Sequence, residues 1–183
     1  MNANHLSVLQ NRITPLFHRD EVKRYLRIDF NDDDIIIDSF ITAATNHVEQ
    51  HLGRTLIKTR YQLHWHYCPQ KECLDYHSVF LPMGPIISLD KVFDDHRKEN
   101  IKRISYNLSP PKPYVMFKQG HEHVVIDYTA GFGETPEAVP SEIRQAALVI
   151  VAELYRNRDL GNPLQIKDFI QGLLYRHIPK TLG

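Results

Sequence analysis

The chain is poor in cysteine, carries no net charge and lacks long apolar runs, and each absence excludes a class of protein. Cys68 and Cys73 are the only cysteines among 183 residues, so we exclude a disulfide framework and expect reduced thiols, as in the cytosol. The longest aliphatic stretches, 35–37 and 146–152, fall far short of the roughly 20 residues that span a bilayer. The amino-terminal region has no apolar core behind a basic start, so we expect no signal peptide.

The charges balance, with 22 Lys and Arg against 22 Asp and Glu, and the net charge is zero. A free-standing DNA-binding protein usually carries a basic excess, because neutralised phosphates supply its affinity. The composition therefore gives no global sign of a DNA binder. With 42% hydrophobic residues, the chain has enough apolar surface for one core of ordinary size.

Helical spacing of apolar residues is present towards both ends of the chain. It predicts a short helix over 19–27 and a longer one over 32–52, which stops at Gly53. Asn31 is the predicted N-cap, and the acidic residues that follow it favour the helix dipole. Helical spacing returns after Pro140 and again near the carboxyl terminus, so two further helices are predicted.

Between these helices the period of the pattern changes to two. Residues 60–68 alternate, with aromatic and aliphatic side chains on one face and polar side chains, including histidines, on the other. A turn at 82–85 separates two further strands, and prolines within 110–113 break the chain between two others. The pattern predicts an antiparallel sheet of about five or six strands.

The order of these elements predicts an α+β fold that is mainly helical. Helices within about 19–52 and 140–176 are expected to form a small helical bundle, with an antiparallel β-sheet over about 55–130 inserted between them. We interpret the chain, 1–183, as a single domain. The remaining segments are an arm at 1–18 and a carboxy-terminal segment at 163–183.

The chain has 11 histidines, which raises the question of a metal site. His64, His66 and Cys68 fall on one face of a predicted strand, and such a pair of histidines can share a zinc ion, with Cys73 or His77 completing four ligands. The spacing matches no established zinc signature, so we interpret these residues as a polar, solvent-facing side and expect no metal and no cofactor. A metal-dependent enzyme that uses the His64/His66/Cys68 cluster is the alternative hypothesis.

The acidic run Asp32, Asp33 and Asp34 has the composition of a divalent-metal site. Consecutive positions in a helix point about 100° apart, so the three carboxylates cannot converge on one ion without loop geometry. Helix capping is the favoured interpretation. The chain also lacks a phosphate-binding loop and a nucleophile elbow, and we expect no enzyme.

Several short motifs follow one another in order along about residues 20–160. They are Tyr25-Leu26-Arg27-Ile28-Asp29, Ala43-Ala44, Leu52-Gly53-Arg54, Leu81-Pro82, Gly84-Pro85-Ile86-Ile87-Ser88-Leu89, Ala130-Gly131-Phe132-Gly133, Val139-Pro140 and Leu154-Tyr155-Arg156-Asn157-Arg158. In this order they resemble the head–tail connector (neck adaptor) protein family of tailed bacteriophages and prophages.

The resemblance implies a structural virion protein of the neck, assembled in the host cytoplasm without a membrane. Such a protein forms a ring of about a dozen copies under the portal protein and can be a monomer until the portal templates it. The ring extends the DNA channel and is a docking platform for the next neck or tail protein, a downstream stopper or tail protein. DNA passes without sequence-specific binding, and because a strongly basic lumen would hold phosphates, we expect a neutral or acidic lining.

The resemblance also implies that the C-terminal segment, 163–183, docks on a partner, the portal protein. The candidate partner-binding residues combine basic and apolar side chains and are Arg156, Arg158, Ile166, Phe169, Leu173 and Tyr175. Left exposed, the apolar members would be a costly surface, which favours a partner. Arg156 and Arg158 have two open interpretations, contact with acidic groups or DNA phosphates and favourable charge near a helix C-terminus. A monomeric binding module whose sheet displays aromatics such as Trp65 is a further alternative.

Overall fold

The structure is a computed structural model that describes residues 5–66, 76–109, 112–118, 120–157 and 167–178. Its helices are α1 (Arg19–Leu26), α2 (Asp34–Leu52), α3 (Ser141–Arg156) and α4 (Lys167–Leu174), with 3-10 turns at Pro136–Ala138 and Tyr175–His177. Its strands are β1 (His5–Gln10), β2 (Thr59–His66), β3 (Tyr76–Phe80), β4 (Ile86–Asp94), β5 (Glu99–Asn100), β6 (Ile104–Asn107), β7 (Tyr114–Lys118) and β8 (His123–Ala130).

These elements belong to two units. The sheet unit comprises the described residues of 1–12 and 58–132, and it contains all of the strands. The helical unit comprises 13–57 and the described residues of 133–179, and it contains the helices. Each unit has its own set of buried apolar residues.

The sheet unit consists of two antiparallel sheets that share one core. The larger sheet has the strand order β1-β2-β8-β4-β5 and the smaller has β3-β7-β6. Strand β8 is central because it pairs with both β2 and β4, and its side chains from Ile126 to Ala130 are all buried. The alternation predicted for β2 is observed, since Tyr61 and Leu63 enter the same buried cluster as Phe117 of β7.

The helical unit depends on packing between α2 and α3. The predicted stripe on α2 is buried, and its members are Ile37, Ile41, Ala44, Val48 and Leu52. The facing residues of α3 are also apolar, and they are Ile143, Ala146, Ala147, Ile150 and Val151. Helix α4 packs on α3 and buries Ile170 and Leu174. Burial of an aliphatic side chain of this size stabilises a fold by about 1.5–3 kcal/mol.

Contacts between residues far apart in the sequence join the two segments of the helical unit. They are a parallel backbone bridge between Ile57 and Gly133, a hydrogen bond of 2.6 Å from Tyr155 Oη to Asp33 Oδ2, and an ion pair of 2.9 Å between Arg144 Nη2 and Glu21 Oε1. The unit is therefore closed by backbone, polar and apolar contacts together.

The prediction of a mainly helical fold built on a helical bundle is wrong. Over the described residues, strands in two antiparallel sheets accompany four short helices, and a helical bundle is not shown. Sequence reasoning undercounted the strands for local reasons. Strand β1 lies within the segment interpreted as an arm, and a register shift between Val8 and Gln10 interrupts its alternation, while β5 has only two residues. The organisation as a single domain stays a prediction.

A buried carboxylate joins two turns of the sheet unit. Asp94 is 1% exposed, and its Oδ1 accepts hydrogen bonds from the backbone N–H groups of His96 and Arg97. Its Oδ2 lies 2.5 Å from His121 Nδ1. Burial alone would raise the pKa of Asp94, but the hydrogen bonds from His121 and the two amides hold it below the ordinary value of 3.8.

The close approach of Gly133 to Ala138 gives a first prediction. A Cβ atom at position 133 would lie 2.5 Å from Ala138 Cβ, so Gly133→Ala should destabilise the helical unit by about 1–3 kcal/mol. The measurement is thermal unfolding followed by circular dichroism at 222 nm, where each kcal/mol corresponds to about 2–4 °C. The matched control is Gly172→Ala within α4, where a Cβ meets nothing within 4 Å, and its Tm should rise slightly. A Gly133→Ala protein as stable as the wild type would contradict the prediction.

The lowered pKa of Asp94 gives a second prediction. A depressed pKa contributes stability that is fully present above the unfolded value of 3.8 and is lost as the pH falls through the folded value. Asp94→Asn should therefore reduce the free energy of unfolding by about 2 kcal/mol near neutral pH, and this difference should shrink in acid. The measurement is urea unfolding at several pH values. Asp95→Asn is the control, because Asp95 is exposed and pairs with Lys98 at the surface. This variant should lose less free energy of unfolding than Asp94→Asn. A stability difference between Asp94→Asn and the wild type that grows as the pH falls would contradict the lowered pKa of Asp94.

Candidate partner-binding surfaces

The acidic run at the start of α2 makes contacts between helices. Asp34 Oδ1 lies 2.8 Å from Lys23 Nζ and its Oδ2 lies 2.9 Å from Arg19 Nη1, so both partners come from α1. The hydrogen bond from Lys23, followed by that from Arg19, holds the pKa of Asp34 below its ordinary value. Asp33 accepts a hydrogen bond from the hydroxyl group of Tyr155, as described above. These carboxylates are therefore engaged with cationic and hydroxyl groups of neighbouring helices.

The predicted cap of α2 is also different in the structure. Helix α2 begins at Asp34, and its N-cap residue, Asp33, makes no side-chain capping hydrogen bond. The side chain of Asn31 instead accepts a hydrogen bond of 2.7 Å from Lys23 Nζ. Charge pairing with α1, rather than helix capping, explains why acidic residues are concentrated here.

His64 and His66 lie on the outward face of β2, as the alternation predicts. The His66 ring packs edge-on against the ring of His123 on β8, with centroids 4.3 Å apart, and His64 Nε2 lies 2.9 Å from Gln62 Oε1. Burial, and then the positive charges that His123 and His64 would carry, lower the pKa of His66 below its ordinary value. The structure thus favours the uncharged form of the His66 ring.

The remaining ligands proposed for a metal do not join these histidines. His77 packs against Trp65, with ring centroids 5.0 Å apart, and Trp65 faces the opposite side of β2 from His64 and His66. Cys68 and Cys73 lie outside the described residues. Within the residues that are described, no group of three or more His, Cys, Asp or Glu side chains is arranged to hold a metal ion.

Trp65 is half-buried and packs on Phe117 as well as on His77. The rings of Trp65 and Phe117 meet edge to face, with centroids 5.4 Å apart. This indole therefore contributes to the core between the two sheets. The sheet aromatics that are exposed lie elsewhere, at Tyr76, Phe80 and Tyr106.

The predicted docking segment is described only in part. Phe169 is 55% exposed and Tyr175 is 66% exposed, whereas Leu173 is half-buried. Arg156 is exposed at the end of α3. Arg158 and Ile166 lie outside the described residues.

One helix thus combines anchoring and exposed side chains. Ile170 and Leu174 hold α4 on α3, and Phe169, Leu173 and Tyr175 are left on or near the surface. We refer to these last three residues as the tail surface. Its position is also tied to the start of α3, because His177 Nε2 lies 3.9 Å from Glu142 Oε2. Large aromatic side chains on a fixed helix are typical of protein–protein contacts.

Sequence reasoning missed one exposed element, the edge strand β1. Its residues Val8 and Leu9 are 53% and 46% exposed, and they belong to a segment with little helical period. The alternation of His5, Leu6 and Ser7 was the available signal, but it is too short to be distinctive. Every helix in the described part of the chain is too short or too polar to cross a membrane.

Solved structures of gene transfer agent (GTA) particles contain chains with a similar fold. The chain is similar to one in the neck of the empty gene transfer agent (GTA) particle computed with C6 symmetry, with 18% identity, a TM-score of 0.75, and coverage of 98% of this chain and 97% of that chain. It is also similar to a chain in the virion of the native GTA particle, with 21% identity, a TM-score of 0.74 and coverage of 97% of each chain. A chain in the neck of the native particle computed with C12 symmetry is similar as well, with 19% identity, a TM-score of 0.73, and coverage of 98% of this chain and 97% of that chain. At these identities the likeness establishes the fold alone.

A comparison with curated protein sequences gives no match. The sequence model of the family described as head completion protein matches residues 15–162, which is most of the chain. This match confirms the resemblance to head–tail connector proteins and the expectation that the chain is not an enzyme. The chain belongs to the head completion protein family, whose members are structural proteins of phage particles.

Proposed function

We propose that this protein is a head–tail connector that forms a ring under the portal of a phage or prophage head. The observation that carries the proposal is the family match over residues 15–162. The similar chains come from GTA necks computed with C6 and C12 symmetry, which supports a ring of about a dozen copies. A head-to-tail contact repeated about an axis closes into a ring when its rotation fits.

The ring would extend the channel through which DNA leaves the head. The balance of 22 basic and 22 acidic residues suits this role, because a strongly basic lumen would retain phosphates. DNA therefore passes the protein without sequence-specific binding. The lumen is neutral or acidic overall, and the protein works in the virion neck after assembly in the host cytoplasm.

The tail surface is the proposed contact with the portal protein. Phe169 and Tyr175 supply exposed aromatic area, and Arg156 and Arg176 are exposed cations on the same helical unit. Arg158 and Ile166, which are also predicted partner-binding residues, would belong to the same contact. Such a surface fits a partner that offers an apolar recess with acidic groups at its rim. The ring would also be the platform for the next neck or tail protein.

Removing the exposed aromatics should weaken portal binding without unfolding the protein. Each exposed aromatic anchor is worth about 1–2 kcal/mol, so Phe169→Ala with Tyr175→Ala should weaken binding by about tenfold or more. The measurement is biolayer interferometry on immobilised portal from the same phage. Tyr106→Ala is the matched control, because Tyr106 is 54% exposed but lies on β6 of the sheet unit. Equal affinities of the double variant and the control would remove the tail surface from the contact.

The ring itself should form when the portal is present. Electron microscopy of the purified protein mixed with portal should show an added ring with rotational symmetry, whereas the protein alone can remain monomeric. In such a ring the groups that face the axis should carry no continuous belt of Lys and Arg. A single copy bound per portal, or a basic belt around the axis, would contradict the proposal.

A further inference from the structure

Arg54, just beyond the end of α2, is a half-buried cation without a counter-charge. Its backbone N–H is fixed by a hydrogen bond of 3.2 Å to Glu49 O, and the next two residues, Thr55 and Leu56, are fully buried. Among the described residues, the Arg54 guanidinium takes part in no hydrogen bond and no ion pair. Burial lowers the pKa of Arg54 below its ordinary value, because the charged form loses contact with water.

The other shielded cations of the helical unit have anionic partners. Among its described lysine and arginine residues, Arg19, Lys23 and Arg144 are also buried or half-buried. Each of these three side chains lies within 2.9 Å of a carboxylate oxygen. A guanidinium has five N–H donors, and shielding it from water with no anion beside it costs free energy. This cost indicates that an acidic group from outside the copy completes the surroundings of Arg54.

Carboxylates without a partner lie at the opposite end of α2, in the connection from α1. Asp29 and Asp32 are exposed there, and their side chains form no ion pair or hydrogen bond within the described part of the chain. They flank Phe30, which is 47% exposed, and they shortly precede Ile35, which is 86% exposed. We refer to these four residues as the entry patch. An apolar surface beside two carboxylates fits a partner that brings a cation and covers the apolar groups.

The length of α2 separates Arg54 from the entry patch of its own copy. The helix has 19 residues, and at 1.5 Å per residue it extends over about 28 Å. The exposed positions of α2 between 39 and 51 carry no lysine, arginine, aspartate or glutamate, so no charge on that face competes for either end. Pairing of the two ends therefore requires two copies, and a contact between different surfaces of identical copies is the heterologous kind that closes into rings.

We propose that neighbouring copies in the ring contact each other through the ends of α2, with Arg54 of one copy against the entry patch of the next. The guanidinium pairs with the carboxylates of Asp29 and Asp32, and the end of the neighbouring α2 covers Phe30 and Ile35. A second copy is favoured over the portal as occupant, because every copy carries both complementary surfaces. This inference rests on the proposed ring and names the surfaces that close it.

The first test removes the charge of Arg54. The full chain is titrated onto portal from the same phage, and bound copies are counted by electron microscopy. Arg54→Gln should raise the protein concentration that half-fills the ring by about tenfold or more, because a shielded ion pair between copies loses one partner. The Tm of the protein alone should not fall, since the substitution removes an unpaired charge from a half-buried position.

Charge reversal tests the pairing itself. Asp29→Lys/Asp32→Lys and Arg54→Glu should each fail to complete rings, because like charges would then meet. An equal mixture of these two variants should form rings again, because contacts between alternating copies join opposite charges. Asp20→Lys is the matched control and should assemble like the wild type, because Asp20 is also exposed and unpaired among the described residues of this unit but lies outside the entry patch.

Several results would overturn the proposal. Arg54→Gln rings that form at wild-type concentrations would do so, as would a mixture of folded reversal variants that forms no ring. Weakened binding of the first copy to the portal would assign Arg54 to the portal, and a twofold pair in solution that Arg54→Gln abolishes would assign it to a dimer. Arg54→Gln keeps the test valid if a reversal variant does not fold.

The same titration separates this contact from the connector function. A wild-type chain that forms no ring on the portal would overturn both proposals. Complete rings of the wild type and of every variant would overturn the contact alone and leave the connector function in place.

Discussion

The helical unit depends on one constraint, which is that two segments separated by residues 58–132 of the sheet unit must meet and close a single core. The parallel bridge between Ile57 and Gly133 fixes the points at which the chain leaves this unit and returns to it. Packing of α2 on α3 then excludes water from their facing stripes, and the contact of Asp33 with Tyr155 fixes how the helices meet. Position 133 requires glycine, because the backbone of Gly133 passes so close to Ala138 that a Cβ atom at position 133 does not fit.

The positions of several helices and strands could be predicted from local patterns, whereas the prediction of a mainly helical bundle is wrong. The stripe of α2 and the proline start of α3 are local signals, and both helices form close to their predicted positions. Strand β1 has no such signal, because its pairing with β2 crosses more than 50 residues and includes a register shift. The sequence favours capping at the acidic start of α2, because it does not reveal that Arg19 and Lys23 face Asp34.

The candidate sites show the same division between local and spatial information. The alternation of β2 placed His64 and His66 on the outer face correctly, since a strand has a strict period of two. It could not show that His77, on β3 of the smaller sheet, packs on Trp65. Nor could it show that the ring of His66 packs on that of His123 on the neighbouring strand. The exposure of Phe169 and Tyr175 likewise depends on which face of α4 covers α3. Whether these two aromatics bind the portal stays a prediction.

The closeness of Ile57 and Gly133 has a consequence for how such a protein can diversify. Two chain positions already held side by side can be joined by a short linker, or by a different module, without opening the core on which they lie. The segment 58–132, which carries every described strand except β1, can therefore be exchanged or enlarged while the helices keep their packing, provided that it keeps a strand with which β1 can pair. Recombination among phages would accordingly act on this protein at two neighbouring joints, and a helical scaffold of one design could present many different sheets to its neighbours.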